Sequence, residues 1–235
     1  MTAIALTSQY TRKFGTLDLR GVLVLLTCAT GLIDAASYLG MGHVLVANMT
    51  GNVVFLGFAL AGAAGFSPAS FAVALGSFLV GAAFGGRLGA ALSDRRRRWL
   101  TASAAAQTAL AAAATITAGV AGLDNTGVAR LAVIALLAVG MGVQNATVRR
   151  LAVADLTTTV LTMTLTGLAA DSSAAGGNNP RLTRRITALV ATLVGAIVGA
   201  ALVLHAGVVA TLAVLTAVYT VAGVGHAVLG EEVKA

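Results

Sequence analysis

Cysteine is almost absent: Cys28 is the single one, and it lies in an apolar run. A lone thiol excludes an intrachain disulfide and any cysteine metal cluster, and the plain reading is a small buried apolar side chain. Charge is scarce as well. Charged residues make up 10% of the chain, against roughly 25% in soluble domains. Hydrophobic residues reach 58%, and mean hydropathy is +0.93. One soluble core cannot hide that excess, so the chain reads as an all-α integral membrane protein. No nucleophile elbow, phosphate loop, zinc-protease motif or dinucleotide fingerprint occurs. His43, His205 and His226 are scattered without metal-ligand spacing. The expectation is a protein that is not an enzyme, with no catalytic residue, metal or cofactor.

The net charge of +7 does not argue for nucleic acid. The basic residues form short clusters between apolar runs, as orientation signals do, and no basic face is interleaved with aromatics. The lipid bilayer is the partner expected. Arg12, Lys13 and Arg20 precede an apolar run, as in a secretory signal. The run resumes after Asp34 and continues to Leu45, which favours a retained first span.

Apolar segments fall at about 20–39, 44–63, 68–93, 99–121, 128–148, 156–170, 184–205 and 208–229. The expected organisation is a cytoplasmic tail (1–19), one polytopic membrane domain (20–229) and a C-terminal tail (230–235). Within the domain, repeat 1 covers about 20–122 and repeat 2 about 128–229. Gly31-Leu32-Ile33-Asp34-Ala35 aligns with Gly142-Val143-Gln144-Asn145-Ala146 at an offset of 111. Met49-Thr50-Gly51-Asn52 aligns with Leu161-Thr162-Met163-Thr164 at 112, and "LVGAAFGG" (79–86) with "LVGAIVGA" (193–200) at 114. Ordered matches with slowly drifting offsets point to duplication.

Basic residues decide how the repeats run. If all eight segments cross, the repeats are parallel and the 15 basic residues divide 8 to 7, with no bias. If 44–63 and 156–170 are re-entrant, six crossings remain and the repeats are inverted. With the N-terminus cytoplasmic, 14 basic residues then lie inside and Arg130 alone outside. Cytoplasmic loops of membrane proteins are rich in Lys and Arg. The expectation is therefore six crossings with two re-entrant or broken segments; seven or eight full crossings with parallel repeats is the alternative.

"NMTGN" (48–52) sits in the first re-entrant segment. Irregular backbone at membrane depth needs protein or water as hydrogen-bond partner. Asn48, Thr50 and Asn52 can supply it, and Gly51 permits a bend. A helix from Gly51 to Gly62, capped by Asn48 or Thr50, would reach about halfway across the hydrocarbon, at roughly 18 Å. In the second half Thr159, Thr162 and Thr164 would make the break. Asp34 is the one acidic residue deep in a span, and intramembrane carboxylates mark function by default. Its repeat partners are Gln144 and Asn145, and Ser37 and Tyr38 lie one turn on. The competing reading is structural: Asp34 bonds the backbone of the break. The candidate substrate-binding set is Asp34, Ser37, Asn48, Thr50, Gly51, Asn52, Gln144, Asn145, Thr159, Thr162 and Thr164. Gly81, Gly85 and Gly89, with Gly195 and Gly199, read as close helix packing.

With "GLIDAASYL", "NMTGNVVFLG" and "GMGVQNATVRR…TTTVLTMTLTGLAAD", the chain resembles the YoaK-like family from about residue 20 to 225. The resemblance implies a multi-pass protein of the bacterial inner membrane, with no established substrate or catalytic residue. Met163 departs from the Thr-Gly-Thr toward which that family tends, so the second break should be less sharp than the first. The functional expectation is a small-solute transporter or channel with a midplane polar site, taking a small solute or ion. A membrane scaffold or partner subunit is the alternative. A homo-oligomer is compatible with either.

Overall fold

A computed structural model describes residues 19–123, 127–151 and 161–229. Lipid offers no partner for backbone polar groups, so an apolar chain of this kind must satisfy them within helices. The described residues are helical with no strand. The helices are α1 (Leu19–Gly40), α2 (Met49–Leu60), α3 (Pro68–Ala91), α4 (Arg96–Ala121), α5 (Gly127–Leu151), α6 (Leu161–Ala170) and α7 (Leu182–Leu229). A 3-10 turn, Ser173–Ala175, lies between α6 and α7. Five of the helices are long and apolar enough to cross a membrane, and α2 and α6 are too short. The molecule is a multi-pass helical membrane protein.

Helix ends follow local chemistry. Ser67 caps α3 by accepting from the N–H of Ser70, and Pro68 takes the first turn, where no amide donor is needed. Arg96, Arg97 and Arg98, which fall between the expected segments 68–93 and 99–121, lie in the first turn of α4. The segments expected at 184–205 and 208–229 are two helices that meet at Gly207, the two limbs of α7. The 48 residues together would span about 72 Å if straight, more than twice a hydrocarbon core of about 30 Å. Gly207 has φ 83 and ψ 170, a backbone region that is essentially glycine's alone.

Side-chain neighbours give the helix directions. Leu23 clusters with Val148, and Gln144 reaches Leu26 and Thr30, so α1 and α5 are antiparallel. Ser103 meets Thr147, and a side chain at Gly140 would touch Leu110, so α4 opposes α5. Thr115 pairs with Thr216, and Gly223 lies against Ala104, so α4 also opposes the second limb of α7. The first limb runs parallel to α1, with Cys28 against Gly195 and Leu32 and Ala35 against Gly199. The two limbs of α7 are therefore antiparallel, and the chain reverses at Gly207. Among the described residues, six helical segments of crossing length result.

The closest packing is glycine-mediated. A side chain at Gly31 would collide with the carbonyl of Thr192 and the amide of Ala196; one at Gly142 would collide with Phe78 and Ala82 in the same way. Gly195 lies on the carbonyl of Cys28, and Gly81 on that of Val139. Gly199 rests on Leu32 and Ala35, and Gly85 on Val143 and Ala146. α1 thus packs on α7, and α3 on α5, through backbone contacts that small residues allow in membranes.

Candidate functional site

α1 ends in a left-handed turn at Gly42 and His43, with φ of 84 and 64. The chain then runs back among the helices without helical structure until Met49. Met41, Val44 and Val46 are fully buried and Ala47 nearly so. Such a stretch bonds few of its own amides, and lipid would not serve the rest. Side chains do it instead.

Asn52, on the first turn of α2, pairs with Leu45 in both directions. Its Oδ1 accepts from the Leu45 N–H at 2.9 Å, and its Nδ2 donates to the Leu45 carbonyl at 2.7 Å. Ser37 Oγ accepts from the Val46 N–H at 3.4 Å and donates to the Asp34 carbonyl at 3.3 Å. Asp34 Oδ1 accepts from the Ala47 N–H at 2.8 Å. The Asn48 N–H returns to the Leu45 carbonyl at 3.2 Å. Every N–H from Leu45 to Asn48 is satisfied. Asn48 then caps α2, its side chain accepting from the Gly51 N–H at 3.2 Å. The helix so started runs Met49–Leu60, two residues earlier than the expected Gly51 to Gly62.

Both ends of this hairpin lie together. His43 Nδ1 is 3.4 Å from the Gly65 carbonyl. Ring centroids of His43 and Phe66 are 5.7 Å apart, and those of Phe55 and Phe66 5.5 Å. Tyr38, Phe58 and Phe71 complete the aromatic cluster. Residues 44–63 leave the bundle on the side by which they came.

The candidate residues divide by place. Asp34, Ser37 and Asn52 converge on the hairpin backbone, and Ser37 and Asn52 are fully buried. Gly51 sits under Leu45. Asn48 and Thr50 are exposed on the bundle surface, as is Thr162, whereas Thr164 is buried on α6. Thr159 lies outside the described residues. Gln144 Nε2 approaches Thr30 Oγ1 and the Leu26 carbonyl at 3.4 and 3.5 Å. Asn145 Nδ2 donates to the Met141 carbonyl.

Several interior polar groups have no warning in the sequence motifs. Ser103 and Gln107 are buried on α4, Thr147 on α5 and Tyr219 on the second limb of α7. Thr147 Oγ1 lies 3.1 Å from Ser103 Oγ, and Tyr219 donates to Met141 Sδ at 3.5 Å. One signal was available: Ser103, Gln107 and Ala111 share the i, i+4 spacing of a single helix face. After α6, Arg185 donates to the Gly167 carbonyl and pairs with Asp171 at 2.8 Å.

Comparison with known proteins agrees with this architecture. Residues 22–225 match the family described as "Protein of unknown function (DUF1275)". The chain is 34% identical over 157 residues to the "UPF0700 transmembrane protein YoaK" of Bacillus subtilis (strain 168), covering 66% of this chain and 68% of that one. No solved structure matches. A match across the whole helical bundle, with a transmembrane relative at that identity, makes the chain a member of the DUF1275, YoaK-like family of membrane proteins.

Proposed function

We propose that this chain is a small-solute transporter or channel of a bacterial inner membrane, built as an inverted repeat with a cytoplasmic N-terminus. The carrying observation is an exchange of contacts. Adding 111 to the α1 member and subtracting 114 from the α7 member turns the Gly31 contact with Thr192 and Ala196 into that of Gly142 with Phe78 and Ala82. The same shifts turn Cys28–Gly195 into Val139–Gly81, and Leu32–Gly199 into Val143–Gly85. α1 and α5, which this operation interchanges, are antiparallel. A rotation doing so has its axis across the helices, in the membrane plane, as in inverted-repeat transporters. The 14-to-1 distribution of basic residues supports the orientation.

On this reading Asp34, Ser37 and Asn52 latch the first re-entrant hairpin. The equivalent positions in the second half are Asn145, Val148 and Thr164, at offsets of 111, 111 and 112. That set has no carboxylate, and an apolar residue stands where Ser37 stood. A carboxylate in one set and none in the other suits a protein that opens one face at a time. Asn48, Thr50 and Gly51, with Gln144, Asn145, Thr159, Thr162 and Thr164, would then meet solute as the hairpins move.

A scaffold or partner-subunit role is the second reading. What favours it is that Asp34, Ser37 and Asn52 are all engaged with backbone. Purified protein in liposomes separates the two. Osmotic shock with small neutral osmolytes, and ion gradients applied separately, should produce a flux that empty liposomes lack and that Gly51→Leu reduces. Absence of flux for every osmolyte and ion tried, with the protein folded, would leave the scaffold.

A further inference from the structure

The polar interior of α4 and α5 borders a cleft of about 50 Å³. Its apolar walls include Leu26, Leu100, Val148 and Ala222, and Ser103, Gln107, Gln144, Thr147 and Tyr219 also line it. By the same measure one water needs roughly 10–15 Å³, so there is room for a few water-sized groups.

Gln107 and Gln144 are 4% and 1% exposed, and the Oε1 of each has no hydrogen-bond partner. The amide orientations are settled by their neighbours. Gln107 Nε2 faces the Ser103 carbonyl at 3.2 Å, and Gln144 Nε2 faces the Leu26 carbonyl. A carbonyl only accepts, so the NH₂ must lie toward it and the oxygen away. Thr30 agrees: its hydroxyl proton goes to the Leu26 carbonyl, which leaves Thr30 Oγ1 to accept from Gln144. Gln107 and Gln144, each carrying a desolvated acceptor with no donor, thus line one cleft. Buried polar groups are normally satisfied, and orphaned ones call for a partner.

We infer that this cleft binds a small uncharged solute carrying two hydrogen-bond donors on a short apolar body, gripped by the carbonyl oxygens of Gln107 and Gln144. The inference rests on the transport reading and names the solute class. Every lining residue is uncharged, so an ionic solute would be buried without a counter-charge. Acceptors in want of donors select hydroxyl or amide hydrogens, and the apolar walls take the carbon chain.

1,2-Butanediol is a suitable probe, with 1-butanol as the one-donor control. Thermal unfolding of the purified protein should show saturable stabilisation by the diol beyond that by the monool. Gln107→Leu and Gln144→Leu each remove one acceptor. Either change should raise the half-saturating diol concentration by about two- to tenfold, as expected when a hydrogen bond to the ligand is lost. Should a leucine variant fail to fold, Ala222→Leu fills the cleft without touching either amide, and should abolish the diol response. An equal response in the wild type and all three variants, or no difference between diol and monool, would overturn the proposal and assign the two oxygens to water. Flux is read separately: diol binding without diol flux in liposomes keeps the cleft and rejects transport, and flux without selective binding does the reverse.

Discussion

Asp34 brings a carboxylate into an apolar helix and sets it against one backbone N–H, that of Ala47. The pairing supplies a donor to a charge and an acceptor to an amide that no helix serves. A buried amide left without its acceptor costs about 1–3 kcal/mol. Asp34→Leu should therefore destabilise by that much in thermal or denaturant unfolding, whereas Asp34→Asn retains an acceptor oxygen and should lose less. Equal stability of Asp34→Leu and the wild type would remove the latch. Asn52 is the stricter case because it both donates and accepts at Leu45. Asn52→Leu removes both bonds, so it should cost more stability than Asp34→Leu, which removes one. The sequence reveals these polar residues as anomalies in an apolar run, and it aligns Asp34 with Asn145. It does not reveal what their atoms face. Leu45, Val46 and Ala47 carry no polar side chain, and their demand for partners arises from a backbone path that only the fold defines.

Among elements, packing is set by where backbones touch. Gly31 and Gly142 occupy equivalent crossings, each against a carbonyl and an amide of the facing helix. Gly31→Leu and Gly142→Leu should each disrupt folding severely and to similar extents, since neither neighbour is a movable side chain. Gly76 has nothing within 4 Å of an added methyl, so Gly76→Ala should be neutral or stabilising by up to about 1 kcal/mol, the helix-propensity gain. A large difference between the two crossings in a melting series would count against their equivalence. The long helices are legible because hydropathy and length alone define a span. Their ends are less so: the arginines of 96–98 read as loop by charge, yet their long side chains tolerate a helical first turn at the interface. The two limbs of Leu182–Leu229 are legible as the segments 184–205 and 208–229, but the tightness of the reversal is hidden, because one glycine among many carries no mark of its positive φ.

At the scale of the whole molecule, the hairpin of residues 44–63 fixes the parity of everything after it. Single cysteines in a Cys28→Ala background test that parity with a membrane-impermeant thiol reagent. Ala64→Cys should label in intact cells, and Ser93→Cys and Asn178→Cys only after permeabilisation. Labelling of Asn178→Cys from outside would mean an odd number of further crossings and would reject the inverted arrangement. Gly207 makes a different demand, on biosynthesis. A ribosome delivers the first limb of α7 well before the second, and a single residue separates them. No polar loop exists to rest in the far aqueous phase while the second limb is still being made. The two limbs must therefore enter the bilayer as one hairpin, with the tip pushed through last. Replacing Gly207 by any L residue strains the tip by about 1–3 kcal/mol, and so should act first on how much protein reaches the membrane.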